Sequence, residues 1–505
     1  MKRVLPCGAA RPLYDLAATR AIESQAQSTL APNALMQRAG LALARLALAL
    51  APHARGVWVA AGPGNNGGDG FEAAMHLHRW GKRVVVTASA NAASQPADAT
   101  AAVARARAAG VTIVGDVDIG FLPDLAIDAL LGIGASRAPQ GQIAELIRKL
   151  GALPCPVLAA DIPSGLHADT GTALGADCVV ASHTLSLLTL KPGLFTGAGR
   201  DHCGSVWWDT LDVDASAAAA PAAWLVGGSQ LRAWPPRRRH VQHKGRFGDV
   251  AVIGGAPGMS GAALLAARAA LAAGAGRVFV ELLDPHAVAH DVQRPELMFR
   301  PGWHDSAPEV MRQSLVICGC GGGDAMRKVL PKLLSLVPRL VLDADALNTI
   351  AADAALQGQV LARAGRGHVT LMTPHPLEAA RLLKSSTAQV QADRIGTATN
   401  LANRFSAVVV LKGSGSVIAA PGLTPHLNPT GNAALASAGT GDVLAGWLGG
   451  SWSQGESSEG IDAAFAAACA AAYLHGLCAE QIQAGPLRAT DLIERMHDKL
   501  RGSRD

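Results

Sequence analysis

A chain of 505 residues is too long for one ordinary domain and points to two or more. It is 49% hydrophobic, 16% charged and only 4% aromatic, rich instead in Ala and Gly, which suits helices packed closely on a parallel sheet and argues against a β-sandwich. The net charge of +5 is mild, and without a broad basic surface or stacking aromatics it argues against nucleic acid as a partner.

At the N-terminus Lys2 and Arg3 are followed by Pro6, Arg11, Pro12 and Asp15, so no signal peptide is expected. Residues 14–50 read as helical, with Leu35, Leu41, Leu46 and Leu50 recurring among alanines, and Pro32 is expected to split the run in two. Apolar strands then alternate with helical stretches. A strand at 57–60 precedes a helix from about 70 to 80, one at 84–86 precedes an Ala/Arg helix at 97–109, and one at 125–127 precedes a helix at 140–150. The strand at 157–160 runs into Asp161. This rhythm predicts a doubly wound parallel sheet, with ligands bound at the carboxyl ends of its strands.

The ASAAAAPA run at 215–222 marks a domain boundary, giving domains 1–216 and 225–505. Just beyond it Arg237, Arg238, Arg239, Lys244 and Arg246 read as a solvated linker face or, more sharply, as a basic lip for a phosphorylated ligand. The second half restarts the rhythm. A strand at 250–253 meets GGAPGMSGA, and Arg277–Leu282 is another strand. Strands at 315–317, 340–342, Val369–Met372 and Val408–Leu411 end in CGCGGGD, DADALN, TPHPLE and KGSGS. The Ala-rich stretch at 463–474 is too short to span a bilayer, so no membrane is expected. Eight cysteines form no CxxC pair and no Cys/His array, which argues against structural zinc and for a reducing, cytoplasmic location.

Two glycine-rich signatures carry the chemistry. The first, AGPGNNGGDG at 61–70, is neither a dinucleotide fingerprint nor a Walker A loop. Asn65 and Asn66 offer amide donors and acceptors, and Gly67 and Gly68 let backbone approach a ligand. Asp69 falls where the helix is expected to begin, as a plain N-cap or as a ligand group. Asp161, in DIPSG, ends a strand where it can move a proton or cap a turn. Asp128 closes another strand just before LGIGASRAP, and Asn, Asp and Ser oxygens converging there can hold a hard monovalent cation. The second signature is NPTGNAALASAGTGDVLAG at 428–446. The N–H groups of Thr440, Gly441 and Asp442 can form an anion hole for a transferring phosphoryl group. Asp442 is placed to take the proton of a substrate hydroxyl as that oxygen attacks phosphorus, with an N-cap as the alternative.

On LMQRAG, GPGNNGGDG, IDALLGIG and DIPSG, residues 10–215 resemble the YjeF N-terminal family, the NAD(P)H-hydrate epimerases. The resemblance implies that Asn65, Asn66, Gly67, Gly68 and Asp69 embrace the hydrated nicotinamide nucleotide with Gly132, Ile133, Gly134, Ala135, Ser136, Arg137 and Ala138. It implies K⁺ on Asn66, Asp128 and Ser164, and Asp161 as the acid/base at C6 of the damaged ring. On HKGRFGDVAVIGG, LDADALN, TPHPLEAARLL, LKGSGSVIA and NPTGN…GTGDVLAG, residues 225–500 resemble the ribokinase-like superfamily and, within it, the NAD(P)H-hydrate dehydratases. That implies ADP or ATP, with Mg²⁺, on Lys412, Gly413, Ser414, Gly415, Ser416 and Gly441. It also implies that Ala262, Gly321, His375 and Asp442 face the hydrated nicotinamide. Asp343 and Asp345 orient substrate or cap a helix.

Two departures stand out: Cys320 in GCGGG replaces a turn-stiffening proline, and Leu377 stands where glycine is common after TPHP. The expectation is therefore an α/β chain with a Rossmann-like doubly wound N-terminal sheet and a ribokinase-like αβα C-terminal domain. Its expected function is nicotinamide nucleotide repair, epimerising R and S hydrates of NADH and NADPH and dehydrating the S form at the expense of ADP or ATP, in a homo-oligomer. The alternatives are a vitamin-precursor kinase and a non-catalytic N-terminal binding module.

Overall fold

The computed structural model describes residues 1–89, 95–115, 120–231, 238–454, 460–482 and 486–502. The chain forms two compact units, Met1–Cys7 with Pro12–Ala223, and Gly8–Arg11 with Trp224–Asp505.

In the first unit the central strands are rich in Val, Ala, Leu and Ile and buried along nearly their whole length, which only a sheet covered on both faces allows. Across the sheet they run Thr112–Val114, Arg83–Ala88, Gly56–Ala61, Leu125–Ala129, Val157–Ala160, His183–Leu187 and Ser205–Asp209, with Lys2–Arg3 antiparallel on the last edge. Counted along the chain from Gly56 the order is 3-2-1-4-5-6-7, all parallel. Alternate side chains serve opposite layers. Val57, Val59 and Ala61 pack under helices Leu16–Thr29, Ala34–Leu50, Asn65–Arg79 and Ala97–Ala108, while Trp58 and Ala60 pack under Gly141–Ala152. The winding reverses between Gly56–Ala61 and Leu125–Ala129, and such a reversal opens a crevice at the carboxyl ends of the two strands.

The helix after the first of these strands begins at Asn65, not near Gly70. Gly67, Gly68 and Gly70 lie inside it, against their low helix propensity, because the packing leaves no room for a side chain. A Cβ on Gly67 would strike the Gly62 carbonyl, one on Gly68 would lie 2.5 Å from the Met36 sulfur, and one on Gly70 2.6 Å from Ala129. These glycines therefore serve internal packing. Gly64 is the N-cap, so Asp69 is not one, and Asp128 lies within Leu125–Ala129 and does not close it.

The second unit repeats the plan. Its strands run Met298–Phe299, Arg277–Leu282, Asp249–Gly254, Ser314–Cys318, Arg339–Leu342, Val369–Met372 and Val408–Leu411, then the antiparallel Val417–Ala419 and His426–Leu427, with Trp224 paired to His426 beyond. The reversal falls between Asp249–Gly254 and Ser314–Cys318. One face is covered by Ser260–Ala272, Thr440–Trp452, Gly460–Glu480 and Ala489–Gly502. The abundance of Ala and Gly is explained here: Cβ atoms on Gly446 and Gly450 would run into the backbone carbonyls of Ala266 and Ala270.

Helix Gly460–Glu480 extends well beyond the alanine run seen in the sequence. At 21 residues it is long and apolar enough to cross a membrane by length and composition, yet 72% of its most apolar window is buried inside the unit, as in a core helix. The basic stretch is also placed. Arg237 lies outside the described residues. Arg238 stacks over Phe247 at 4.0 Å and donates to the Gly274 carbonyl, and Lys244–Phe247 immediately precedes strand Asp249–Gly254. These residues stand at the amino ends of the strands, opposite the crevice, which overturns the basic-lip expectation.

Candidate active sites

The first crevice is a cavity of about 440 Å³. Of the residues expected to hold ligand, Asn65, Asn66, Asp69, Gly132, Ile133, Gly134, Ala135 and Asp161 line it. Gly67 and Gly68 face protein, Ser136 and Arg137 are not on its wall, and Ala138 packs 2.9 Å from the Cβ position of Gly175. Asp161 follows its strand with φ +64°, a left-handed backbone that costs a non-glycine residue about 1 kcal/mol or more. Its Oδ1 accepts from the Leu187 amide at 3.0 Å and from the Lys191 ammonium. These partners lie 26 and 30 residues away, so the carboxylate is held by the fold and does not cap its own turn.

Lys191 is fully buried and donates also to the Leu187 carbonyl at 2.7 Å. No motif marks it in the sequence, although a lysine ending the apolar run LSLLTLK needs a buried partner. Asp69 and Glu23 share the cavity wall. Burial raises both carboxyls first; the Asp161 charge adds in each case, and Glu23 and Glu72 add for Asp69. The cavity thus combines a lysine-paired carboxylate with carboxyls biased toward their protonated forms.

Beside it the expected cation ligands do meet. Ser164 donates through Oγ to Asp128 Oδ1 at 2.6 Å and through its amide to Oδ2 at 2.8 Å. Asn66 Nδ2 donates to the Leu131 carbonyl at 3.1 Å, and the Leu131 amide donates to Ser164 Oγ at 2.8 Å. Burial pushes Asp128 up to about 6 against the bonds from Ser164 and Leu130. Asn66 Oδ1 is buried with no hydrogen-bond partner among the described residues. An orphaned oxygen next to carboxylate, hydroxyl and carbonyl oxygens is the donor chemistry a hard monovalent cation requires.

The second site gathers at the other reversal. Helix Thr440–Trp452 is capped by Gly439 at φ +87°, so Asp442 sits in the first turn and is not the cap. Its amide and that of Gly441 precede the reach of any helical carbonyl and face outward as donors. Behind them His475 Nε2 donates to the Thr440 carbonyl at 2.9 Å; burial lowers that imidazole to about 4, which keeps it neutral. Burial raises Asp442 to about 6, with Asp343 adding and Cys320 and Lys412 opposing.

Asp343 is the N-cap residue of Ala344–Ala352 but makes no capping bond. It takes Lys412 Nζ at 2.8 Å and Thr373 Oγ1 at 2.7 Å instead. Asp345 accepts from the Gly323 amide at 2.9 Å. Gly321, at φ +59°, brings its backbone against Ala262, whose Cβ lies 3.0 Å from the absent Cβ. His375 is a helix cap: its Nδ1 accepts from the amides of Leu377 and Glu378, and Nε2 lies 3.2 Å from Glu378 Oε1. The Leu377 substitution leaves that capping box formed. Burial pushes Glu378, unremarked in the sequence, up to about 7.

In the loop after Val408–Leu411, Arg394 donates to the carbonyls of Leu411, Lys412 and Gly415. Gly413 stands at φ +133°, and Ser416 Oγ donates to the Gly413 carbonyl at 3.2 Å. Gly441 faces the head of this loop, its Cβ position 3.5 Å from Lys412 Nζ.

Each half is thus a doubly wound α/β unit with buried carboxylates gathered where its winding reverses. Residues 32–193 match the model of the YjeF-related protein N-terminus, and residues 250–500 that of NAD(P)H-hydrate dehydratase. The bifunctional NAD(P)H-hydrate repair enzyme of Escherichia coli K12 is 36% identical over 92% of this chain and 88% of that protein. That of Coxiella burnetii is 33% identical over 96% and 98%. The ADP/ATP-dependent NAD(P)H-hydrate dehydratase of Bacillus subtilis, solved after co-crystallisation with ATP and Mg²⁺, is 27% identical over 55% of this chain and 96% of that one, with a TM-score of 0.43. The chain belongs to the family of bifunctional NAD(P)H-hydrate repair enzymes.

Proposed function

We propose that the first unit interconverts the R and S hydrates of NADH and NADPH, and that the second dehydrates the S form at the expense of ADP or ATP. The observation that carries this reading is the pair of switch-point sites of different design on one chain: a cavity lined by a lysine-paired aspartate, and a helix N-terminus with an aspartate in its first turn. The family of the whole chain supports it.

In the first site the Asn65–Asp69 turn and the Gly132–Ala135 loop would hold the nucleotide, with Asp161 at the reacting carbon and Lys191 fixing its carboxylate. Asn66, Asp128 and Ser164, with the Leu131 carbonyl, would hold K⁺, which when bound supplies positive charge beside the substrate phosphates. In the second site the Gly441 and Asp442 amides cradle the phosphoryl group in transfer. Asp442 takes the proton of the substrate hydroxyl as that oxygen attacks the terminal phosphorus. Phosphate then leaves C6 while the neighbouring ring carbon loses a proton, and the double bond returns. Phosphorylation converts hydroxide, a poor leaving group, into phosphate, a good one. Mg²⁺, when bound, neutralises nucleotide phosphate charge. The loop from Lys412 to Ser416 is the nucleotide-binding candidate, and Ala262, Gly321 and His375 the candidates on the nicotinamide side.

The test is a coupled assay on mixed R and S hydrates with ATP or ADP, following NADH absorbance and epimer ratio. The intact chain converts everything. Asp161→Asn stalls with R left over, and Asp442→Asn recovers no NADH. A stable phosphorylated product, with no absorbance regained, makes the second unit a small-molecule kinase instead.

A further inference from the structure

Three neighbouring strands of the second unit, Arg339–Leu342, Val369–Met372 and Val408–Leu411, end side by side. The residue after each is polar: Asp343, Thr373 and Lys412. Backbone bonds fix all three. The Asp343 amide donates to the Cys318 carbonyl at 3.1 Å, the Thr373 amide to the Leu342 carbonyl at 3.1 Å, and the Lys412 amide to the Pro374 carbonyl at 2.9 Å. Arg394 donates to the Lys412 carbonyl at 3.2 Å.

The side chains converge on one oxygen. Asp343 Oδ1 accepts from Lys412 Nζ at 2.8 Å and from Thr373 Oγ1 at 2.7 Å. Asp343 and Thr373 are fully buried, whereas the Lys412 side chain is 19% exposed. Lys412 thus reaches past the intervening strand end to Asp343. Its ammonium also borders helix Thr440–Trp452: Nζ lies 3.5 Å from the Cβ position of Gly441, whose amide is a donor of the proposed anion hole. An ammonium has three N–H groups, and Asp343 takes one among the described residues, so two remain for a ligand. Burial opposes its charge, but Asp343 and Glu378 outweigh burial and raise the group, so it stays cationic. A tie between strand ends gives no reason for a cation at a helix N-terminus, nor for an Asp343 that leaves its own helix without a capping bond.

We propose that Lys412 is a catalytic cation for phosphoryl transfer: its ammonium, aimed by Asp343 and Thr373, contacts the non-bridging oxygens of the transferring phosphoryl group beside Gly441. This rests on the reading that the second unit phosphorylates the S hydroxyl with Asp442 as base. In that step the substrate oxygen bonds to the terminal phosphorus as the bond from phosphorus to the nucleotide oxygen breaks. The hydroxyl proton goes to Asp442, and the electron pair of the broken bond leaves with the nucleotide. Negative charge is spread over the non-bridging oxygens, where a cation fixed in advance stabilises it. Lys412 moves no proton. Asp343 and Thr373 act through it as positioning residues, the Thr373 hydroxyl fixing the carboxylate oxygen that the ammonium shares.

With ADP as donor the departing nucleotide is AMP, which lacks the transferred group. The experiment therefore measures, on the full chain, kcat and KM for dehydration of pre-made S hydrate with ADP, the Kd of AMP, and Tm. The chains are wild type, Lys412→Met, Thr373→Val, Thr373→Ser and Asp442→Asn. Lys412→Met is expected to lose about 10²- to 10³-fold in kcat, the order of one lost oxyanion donor, with the AMP Kd within about twofold. Thr373→Val is expected to lose about three- to tenfold in kcat at unchanged AMP Kd, and Thr373→Ser to restore it. If Lys412→Met weakens AMP binding and keeps kcat, the lysine only holds the body of the nucleotide and the proposal falls. If Thr373→Val matches wild type, or Thr373→Val and Thr373→Ser lose equally with a lower Tm, the positioning is overturned. Should Lys412→Met not fold, the Thr373 pair decides. Activity retained by Asp442→Asn overturns the base reading, whereas an inactive Asp442→Asn beside a Lys412→Met of undiminished kcat overturns this proposal alone.

Discussion

Lys191 is the residue on which the first site turns. A buried ammonium held by one carboxylate is tolerable only while the pair is intact, and removing one partner of such a pair costs about 3–5 kcal/mol. Lys191→Met removes the charge and keeps most of the volume. The epimerase rate is expected to fall about 10²-fold, the order lost with one positioned polar group, while dehydration of pre-made S hydrate is unchanged. The measurement is the R-to-S ratio over time, beside the NADH rate. Asp161 calls for a different choice of variant. Its backbone sits at φ +64°, where Asn is tolerated and a β-branched residue is not, so Asp161→Asn tests the carboxylate without testing the turn.

At the scale of elements, Thr440–Trp452 and Ser260–Ala272 approach so closely that Gly446 and Gly450 touch the backbone of the facing helix. In an exposed helix Gly→Ala gains up to about 1 kcal/mol of propensity. Here the sign reverses: Gly450→Val is expected to cost about 3 kcal/mol or more, because a backbone carbonyl cannot step aside as a side chain can. Thermal unfolding of the variant is the check. Dehydratase activity should fall with it, since the same helix carries Asp442, while the epimerase persists.

The contrast explains what could be read in advance. Strand positions were legible because continuous apolar runs leave little choice; Arg277–Leu282 and Val369–Met372 fall where periodicity put them. The start of Asn65–Arg79 was not, because three glycines look like loop until Gly62, Met36 and Ala129 are seen against them. Asp69 and Asp442 each offered an N-cap reading that is removed by where their helices start, Asp343 stands at the N-cap position but spends its side chain elsewhere, and His375 turned out to be a cap. Lys191 and Asp161 are 30 residues apart, and nothing local announces their pairing.

For the whole molecule, each site is built from side chains of its own unit: the cavity around Asp161 from the first, and the cluster of Cys320, Asp343, Lys412 and Asp442 from the second. The two proposed chemistries draw on separate sets of residues. Asp161→Asn and Asp442→Asn chains, each unable to convert a hydrate mixture alone, are therefore expected to complete the conversion when mixed, at a rate set by the slower active half. Absence of complementation would mean that each reaction requires both intact units on one polypeptide.

The buried helix Gly460–Glu480 bears on how such a chain is made. It is the one segment among the described residues that an unfolded chain could lose to a lipid bilayer. The strands it covers and the Asp442 helix beside it all precede it, and only Ala489–Gly502 follows among the described helices. As this span leaves the ribosome, the strands and the Thr440–Trp452 helix it packs on have already been translated and only its partner Ala489–Gly502 is still to come, so the order of the sequence offers this lipophilic stretch most of its docking surface as it emerges.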